Sequence, residues 1–304
     1  MAITLVYNLK IRRAFGVGLE GPAVQALEQD KWVISVLPIY YQRKRHIVET
    51  VQKIDVQDQH KVSEVLLNLR YVPNKLWWAE FSTGLGKETA NTFGTLNQRA
   101  SDVIYTRKGL DDLVFSAGVN AYPAKNWAIV MYGLGGIPAD RKLSTLDLFD
   151  TLLGTRCYAL GAGYEISYAF FNDLERALTI FFQNRLIHFF GRNGYPALSS
   201  KQSEIHLGNV TDFLLALRYR SQRNIYEAGF NVTVFSQAYL KLHPGYLATK
   251  PFARESAYIS FTHICSCFPL FTHPVLLGVG GDVTRSAFYD MHALAVWFNF
   301  STTF

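Results

Sequence analysis

The chain has 304 residues, of which 49% are hydrophobic, 14% aromatic and only 18% charged. Its 30 Lys and Arg outnumber its 24 Asp and Glu, which gives a formal charge of +6. The basic residues are scattered, with "QRKRH" at 42–46 as the only dense cluster, so nucleic acid is not expected as a partner. No run of about 18 uncharged apolar residues occurs, which argues against a transmembrane helix.

The cysteines and the other reactive residues suggest no bound group. Cys157, Cys265 and Cys267 are odd in number and lack metal-ligand spacing, so neither a disulfide framework nor a metal site is expected. No phosphate-binding loop and no carboxylate pair with defined spacing occurs either. We therefore expect no cofactor.

The N-terminal segment, residues 1–30, is set apart from the rest of the chain. In "MAITLVYNLKIRRAF" the charges follow the apolar run, which is the reverse of a secretory signal. The protein therefore either stays inside the cell or begins after a removed signal. We assign residues 1–30 to an N-terminal periplasmic arm or plug, with an additional strand at "ITLVYNLKI" as the alternative.

From residue 31 onward, period-two alternation is nearly continuous. In "VLLNLRY", Val65, Leu67 and Leu69 face away from Asn68 and Arg70. The same pattern recurs along the chain, with large apolar residues on one face and Gly, Ala, Ser or Asn on the other, at 77–85, 113–120 and 158–170. This pattern predicts an all-β protein built from strands with two unlike faces.

Turn signals are regularly spaced between these strands. Tight turns are predicted at 72–75, 123–126, 171–175, 221–224 and 268–274, from their Pro, Asn, Asp and Ser residues. Their centres recur about every 49 residues. Longer polar loops are predicted between them, at 87–109, 135–150, 191–204 and 241–255. Short turns should therefore lie at one end of the molecule and long loops at the other.

Aromatic residues flank the short turns, which is typical of a membrane–water interface. They are Tyr71 and Trp77, Tyr122 and Trp127, Phe170 and Phe171, Tyr219 and Tyr226, and Phe268 and Phe271. These features together predict a transmembrane antiparallel up-and-down β-barrel over residues 31–304, because strands can cross lipid only in a closed sheet. We count about 12 strands, from "WVISVLPIYYQ" to "LAVWFNFSTTF"; counting "HIVETVQKIDV" (46–56) as a further strand leads to about 14.

A soluble β-sandwich or a lipocalin-like barrel would also alternate. Such folds bury the apolar face in a core, so their other face should be rich in charges. Here that face carries small residues with scattered charges, which suits the interior of a barrel of modest diameter.

Charged residues at predicted inward positions are candidates for lining the lumen: Glu64, Arg70, Glu80, Glu165, Arg185, Asp212, Arg218, Glu227 and Asp282. They could form a selectivity or ligand-contact set along a pore. Alternatively, they form a mixed-sign network of ion pairs that fills a narrow barrel, because buried charges need partners. For any single residue we favour the ion-pair network.

The final strand resembles the terminal strand that the bacterial barrel-assembly machinery recognises. Val296, Phe298, Phe300 and Phe304 fit that pattern, with Thr302 in place of the usual aromatic residue. The resemblance implies a Gram-negative outer membrane, with the signal peptide already removed. It also implies the assembly machinery, outer-membrane lipid and lipopolysaccharide as partners.

A second resemblance covers residues 108–142. Gly109, Leu110, Asp111 and Asp112 are similar to a "GLGD" strand start, and Ile137–Pro138–Ala139 to a Pro–Thr–Gly strand end. Both motifs occur in the putative outer-membrane family linked to the meta-pathway of phenol degradation. This resemblance implies uptake of small hydrophobic compounds.

The sequence therefore predicts a porin-like outer-membrane channel or transporter for small-molecule solutes, and not an enzyme. One alternative is a membrane-embedded hydrolase of lipid or lipopolysaccharide, for which His263 with Cys265 is the nearest analogue of a base and a nucleophile. His188 and His206 have no nucleophile two residues away. The other alternative is a structural or adhesive barrel that acts through its long loops.

Overall fold

A computed structural model describes residues 31–49, 54–74, 76–96, 99–124, 126–139, 157–173, 175–194, 203–206, 208–237, 239–242, 245–248, 251–265, 275–286 and 291–303. In these ranges no helix is long and apolar enough to cross a membrane. The predicted arm at 1–30 lies outside them. The strands are β1 (Lys31–Glu49), β2 (Ile54–Val72), β3 (Trp77–Leu96), β4 (Arg99–Leu110), β5 (Leu113–Ala124), β6 (Trp127–Ile137), β7 (Ala159–Asn172), β8 (Arg176–Phe189), β9 (Arg192–Gly194), β10 (Ser203–His206), β11 (Asn209–Ser221), β12 (Asn224–Phe235), β13 (Tyr239–Leu242), β14 (Gly245–Ala248), β15 (Phe252–Cys265), β16 (Val275–Ser286) and β17 (Met291–Thr303).

Twelve of these strands close into one antiparallel barrel, which confirms the predicted fold and strand number. The order around the ring is β1, β2, β3, β5, β6, β7, β8, β11, β12, β15, β16 and β17. The ring closes where β17 pairs with β1, from Val33 opposite Thr303 to Lys44 opposite His292. The last strand is therefore hydrogen-bonded on both sides, as the closure of a membrane barrel requires.

The alternative of 14 strands is wrong. Residues 46–49 and 54–56, the described parts of this segment, form no separate strand; they are the ends of β1 and β2, where Ile47 pairs with Val56 and Glu49 with Ile54. The apolar residues of this segment thus extend one long hairpin.

The loop predicted at 87–109 is also a hairpin. β3 continues to Leu96, and its second half pairs with β4 from Leu85 opposite Leu110 to Leu96 opposite Arg99. The first half of β3 pairs with β5, from Trp77 opposite Val119 to Ser82 opposite Val114. β4 is therefore an extension of the sheet beyond the closed ring. Its sequence lacks apolar alternation, so the pattern alone predicts a loop there.

A second, four-stranded sheet occupies parts of two other predicted loops. Its order is β14-β13-β10-β9, with β9 and β10 in the 191–204 region and β13 and β14 near 241–255. These strands have three or four residues each. Such short strands leave too little periodicity in the sequence to be recognised.

The predicted inner and outer faces are confirmed along the barrel strands. On β11, Phe213, Leu215 and Leu217 are exposed, whereas the intervening Leu214 and Ala216 are buried. On β1 the outward apolar residues end near Tyr40 and are followed by Gln42 and Lys44. The apolar length matches the roughly 9–11 residues of a membrane-spanning strand. The β1–β2 hairpin therefore continues past the membrane on the long-loop side.

Aromatic rings flank the short turns on the outer surface, as predicted. Trp32 and Tyr71 stack with ring centroids 4.7 Å apart, and Tyr71 contacts Trp77 at 6.4 Å. Tyr219 and Tyr226 stack at 6.3 Å beside another short turn. Phe268 and Phe271 lie outside the described residues. These rings mark the membrane–water interface at this end of the barrel.

Candidate functional site: the barrel lumen

The structure places all nine predicted lumen residues on the inner side of the barrel, and none is more than 7% exposed. Their burial follows from the alternation of side chains along each strand, because every second residue faces inward and these residues share that face with small or apolar neighbours. They are distributed along the barrel, with some close to the short turns and others nearer the long loops.

One ion pair lies close to the short turn between β2 and β3. Arg70 and Glu80 are directly opposite in register, and Arg70 Nε donates to Glu80 Oε2 at 2.6 Å. The Arg70 guanidinium also lies 4.9 Å from the ring centroid of Trp78. This arginine is therefore held both by a carboxylate and by a cation–π contact.

A second ion pair lies at a similar height on β11 and β12. Arg218 Nε donates to Glu227 Oε2 at 2.7 Å, and the two residues are cross-strand partners. The hydroxyl of Tyr258 donates to Glu227 Oε1 at 2.5 Å. Arg218 also stacks on Phe181, 5.0 Å from its ring centroid. Four side chains from four strands thus form one connected unit.

A third ion pair lies farther from the short turns. Arg185 Nη2 donates to Asp212 Oδ2 at 2.6 Å, between the adjacent strands β8 and β11. The hydroxyl of Thr233 donates to the other oxygen of Asp212. The remaining predicted residues, Glu64, Glu165 and Asp282, are buried on β2, β7 and β16. The contacts of six of the nine residues therefore agree with a network of ion pairs.

Sequence reasoning missed several buried charged residues and one buried histidine: Arg43, Arg45, His60, Glu88, Asp111, Asp112 and Arg254. His60 Nδ1 lies 3.0 Å from Glu88 Oε1. The Arg254 guanidinium lies 5.0 Å from the ring centroid of Phe235. Arg43 lies on the same inward-facing side of β1 as Tyr41, and His60 lies on the same inward-facing side of β2 as Val62. Extending the alternation through "QRKRH" would have found this part of the lumen.

An apolar cluster, here called the lumen belt, lies on the inner side at mid-height. Its height follows from the distance of its members to the short-turn ends of their strands. Leu66 is six residues from Val72, the last residue of β2, and Tyr258 is seven residues from Cys265, the last residue of β15. β1 and β8, which both contribute to the belt, lie on opposite sides of the twelve-stranded ring. All its members are between 3% and 8% exposed, so little of the belt faces free water: Leu37, Ile39, Leu66, Phe181, Leu214, Ala216, Tyr258 and Trp297.

Aromatic rings on the inner wall lie flat over glycines of the neighbouring strand. Four such pairs are direct cross-strand partners: Trp78 and Gly118, Tyr132 and Gly163, Tyr258 and Gly229, and Trp297 and Gly280. A Cβ at each glycine would come within 3 Å of the partner ring. The glycines therefore provide the space that lets large rings lie along the wall.

A groove of about 720 Å³ lies across β5, β6 and β7, and two of these glycines, Gly118 and Gly163, line it. Its lining consists mainly of outward-facing residues, including Trp77, Val119, Met131 and Tyr164. The groove therefore belongs to the lipid-facing surface.

The pair considered for hydrolysis faces outward. His263 and Cys265 follow the exposed Phe261 at every second position and therefore lie on the same outward side of β15. Sequence reasoning found no orienting residue on the same strand, but His263 Nδ1 lies 2.8 Å from Asn224 Oδ1 on β12. Among the described residues, no three His, Cys, Asp or Glu side chains converge in a way that could hold a metal ion.

The predicted assembly-signal residues lie on the lipid-facing side of β17. Val296 and Phe298 are exposed and Phe300 is half-buried, while Trp297 and Asn299 between them are buried. Phe304 lies outside the described residues.

No family model matches the chain, and no curated protein is similar enough in sequence to be a relative. Solved structures are similar in fold. A crystal structure of an outer-membrane channel from Pseudomonas putida F1 matches with a TM-score of 0.63 at 11% identity, over 91% of this chain and 97% of that chain. A FadL homologue from Pseudomonas aeruginosa matches with a TM-score of 0.44 at 10% identity, over 93% and 92%. The β domain of the Bordetella autotransporter BrkA matches with a TM-score of 0.47 at 11% identity, over 91% and 100%. The closed twelve-stranded ring and the match to the Pseudomonas putida F1 channel together show that the chain has the fold of a bacterial outer-membrane β-barrel.

Proposed function

We propose that this protein is an outer-membrane channel or transporter for small, uncharged, hydrophobic molecules. The observation that carries this proposal is the lumen belt, an apolar segment at mid-height on the inner side of a membrane-spanning barrel. An ion or a charged solute would lose its hydration there without gaining a polar partner. A small apolar molecule would gain from the same contacts.

The arrangement of charges supports the same selectivity. Arg70 with Glu80, Arg185 with Asp212 and Arg218 with Glu227 form close pairs of opposite sign. Paired charges stabilise the lumen but attract a charged solute weakly, because the field of each is largely cancelled by its partner. The Pseudomonas putida F1 protein, which is similar in fold, is an outer-membrane channel, and this agrees with transport.

Two other functions are less well supported. A hydrolase would use His263 and Cys265, but these residues lie on the outer face near the short turns, away from the lumen. An adhesive barrel would act through its long-loop side, where the small sheet of β9, β10, β13 and β14 lies. Neither alternative accounts for an apolar belt on the inner side of the barrel.

The membrane partners follow from the same proposal. Outer-membrane lipid and lipopolysaccharide would contact the exposed apolar band, and the assembly machinery would recognise the outward residues Val296, Phe298 and Phe300 of β17, together with Phe304. A small-molecule solute would enter from the long-loop side.

The test is uptake of radiolabelled toluene by Gram-negative cells that lack other hydrocarbon channels and have intact lipopolysaccharide. Cells that express this chain should take up toluene faster than cells with an empty vector. Uptake of the anion benzoate should be much less affected, because the lumen belt disfavours charge. Equal toluene uptake with and without the protein would reject the proposal.

A further inference from the structure

We propose that four outward-facing lysines bind the phosphate groups of lipopolysaccharide on the long-loop side of the membrane. They are Lys44, Lys61, Lys87 and Lys108, here called the lysine cluster. This site rests on the membrane partners proposed above, and not on solute transport through the lumen.

The height of the lysine cluster carries the first step. Lys61 lies ten residues from the interfacial Tyr71 on β2, and Lys87 lies ten residues from the interfacial Trp77 on β3. A strand needs roughly 9–11 residues to cross the hydrocarbon region of a membrane. Because the aromatic rings mark the interface on the short-turn side, these lysines lie at the opposite interface, at the level of the lipid phosphates.

The spacing of the lysines carries the second step. Lys87 and Lys108 are direct cross-strand partners on β3 and β4, which places their Cβ atoms about 4.5–5.5 Å apart. Lys61 is opposite Thr89, two residues along β3 from Lys87, so Lys61 and Lys87 are diagonal neighbours about 7–8 Å apart. Lys44 on β1 is the corresponding diagonal neighbour of Lys61. The flexible side chains of Lys61, Lys87 and Lys108 can therefore reach one phosphate group between them.

The charges around the lysine cluster carry the third step. All four lysines are exposed. Like charges directly opposite each other destabilise a strand pair, so the pair of Lys87 and Lys108 costs stability unless an anion lies between them. Glu88, the next residue in the chain, faces inward and is fully buried.

Among the described residues, no carboxylate supplies that anion on the outer face. The polar side chains at the outward positions around Lys61, Lys87 and Lys108 are uncharged amides and hydroxyls: Gln42, Gln59, Ser63, Thr89, Asn91 and Thr106. The counter-ion must therefore come from outside the chain.

The apolar surface beside the lysines identifies the ligand as a lipid. Leu85 and Leu110 are direct partners in the row next to Lys87 and Lys108 on the membrane side, and they are 60% and 53% exposed. A lipid can place its phosphate on the lysines and its acyl chains on the leucines, whereas a soluble anion can occupy only the lysines. Long loops face the outside of the cell in outer-membrane barrels, so the lipid at this level is lipopolysaccharide.

The experiment measures the binding of fluorescently labelled lipopolysaccharide to the refolded full chain in detergent at low salt. Lys87→Gln with Lys108→Gln keeps two long polar side chains and removes two charges. We expect the Kd to rise about thirtyfold, at about fivefold for each lysine lost at an anionic lipid surface. Lys87→Arg with Lys108→Arg keeps both charges and should bind as the unmodified protein does.

Arg176→Gln with Arg223→Gln is the matched control, because it removes two charges from exposed residues at the short-turn side. It should bind lipopolysaccharide as the unmodified protein does. A second control is lipopolysaccharide whose phosphate groups have been removed and whose acyl chains are kept. It should bind the unmodified protein about as weakly as the glutamine variant binds the intact lipid. A shift between heated and unheated samples on a gel confirms that each variant is folded.

The outcomes separate this site from the channel. Unchanged binding in Lys87→Gln with Lys108→Gln, or an equal loss in the arginine control, would reject the site and leave the lysines as solvated charges. Equal affinity of the unmodified protein for intact and dephosphorylated lipopolysaccharide would also reject it, because the acyl chains alone would then hold the lipid. The lysine cluster lies outside the lumen, so its rejection leaves the toluene-uptake test of the channel unaffected. Failure of the uptake test likewise leaves the lysine cluster standing.

Discussion

The indole ring of Trp297 lies directly over Gly280, its cross-strand partner on β16. A Cβ at Gly280 would be only 2.5 Å from the Cε2 and Cζ2 atoms of that ring. The residue at 280 therefore decides whether the closing strand β17 can keep its largest inward side chain against the wall.

Gly280→Ala should destabilise the barrel, because the added methyl forces Trp297 out of its place in the lumen belt. Overpacking of this kind costs about 1–3 kcal/mol. Gly133→Ala on β6 is the matched control, since its Cβ would meet nothing nearer than 3.9 Å. Urea unfolding in detergent, followed by tryptophan fluorescence, measures both variants. Equal stability of the two would contradict the close approach of ring and glycine.

The paired charges lead to a second prediction. Arg185→Ala removes the charged partner of Asp212, whose side chain is 7% exposed. Loss of one member of a buried pair should cost about 3–5 kcal/mol. The double variant Arg185→Leu with Asp212→Leu should recover much of that loss, because neither charge remains. The same urea titration compares the stability of the single variant with that of the double variant. If the double variant is as unstable as the single variant, the two side chains do not form an ion pair.

The outer surface leads to a third prediction. Leu215→Arg should destabilise by about 2–4 kcal/mol if residue 215 lies near the bilayer midplane. Gln57→Arg is the control, because Gln57 is exposed on the part of β2 beyond the apolar band. Ala216, the inward neighbour of Leu215, is unsuitable as a mild control, since it belongs to the closely packed lumen belt. Refolding into lipid vesicles measures both changes; equal tolerance would show that the outer face is wrongly assigned.

The C-terminal strand leads to a fourth prediction. Deleting Phe304 should reduce membrane insertion in cells more than refolding into detergent, because the residue resembles part of the signal read by the assembly machinery. Fractionation of outer membranes measures the first and a heat-modifiability gel the second. Wild-type insertion of the truncated chain in cells would contradict the signal.

Much of this fold follows from the sequence because the information is local. Alternation on one strand places Leu215 outside and Arg218 inside, and turn residues such as Asp173, which accepts from the backbone of Glu175 and Arg176, mark the short turns. The extra hairpin of β3 and β4 was missed because its sequence lacks the apolar alternation that membrane strands show.

The contacts inside the lumen depend on register, and alternation does not reveal register. The sequence predicted that Arg218, Glu227 and Asp282 face inward. It did not predict that Tyr258 donates to Glu227, because these residues are 31 positions apart and meet only when β12 pairs with β15. The aromatic–glycine pairs were missed for the same reason.

The central claim is that solute passes through the lumen. It can be tested with two single-cysteine variants, made after Cys157, Cys265 and Cys267 have been replaced by Ser. Ser116→Cys places the thiol on the inner face of β5, where Ser116 is buried, and Ala117→Cys places it on the outer face, where Ala117 is exposed. Each thiol is modified with a bulky, membrane-permeant thiol reagent, and mass spectrometry confirms the modification. Toluene uptake should fall for Ser116→Cys and stay unchanged for Ala117→Cys. Unchanged uptake in fully modified Ser116→Cys, or an equal loss at both positions, would contradict passage through the lumen.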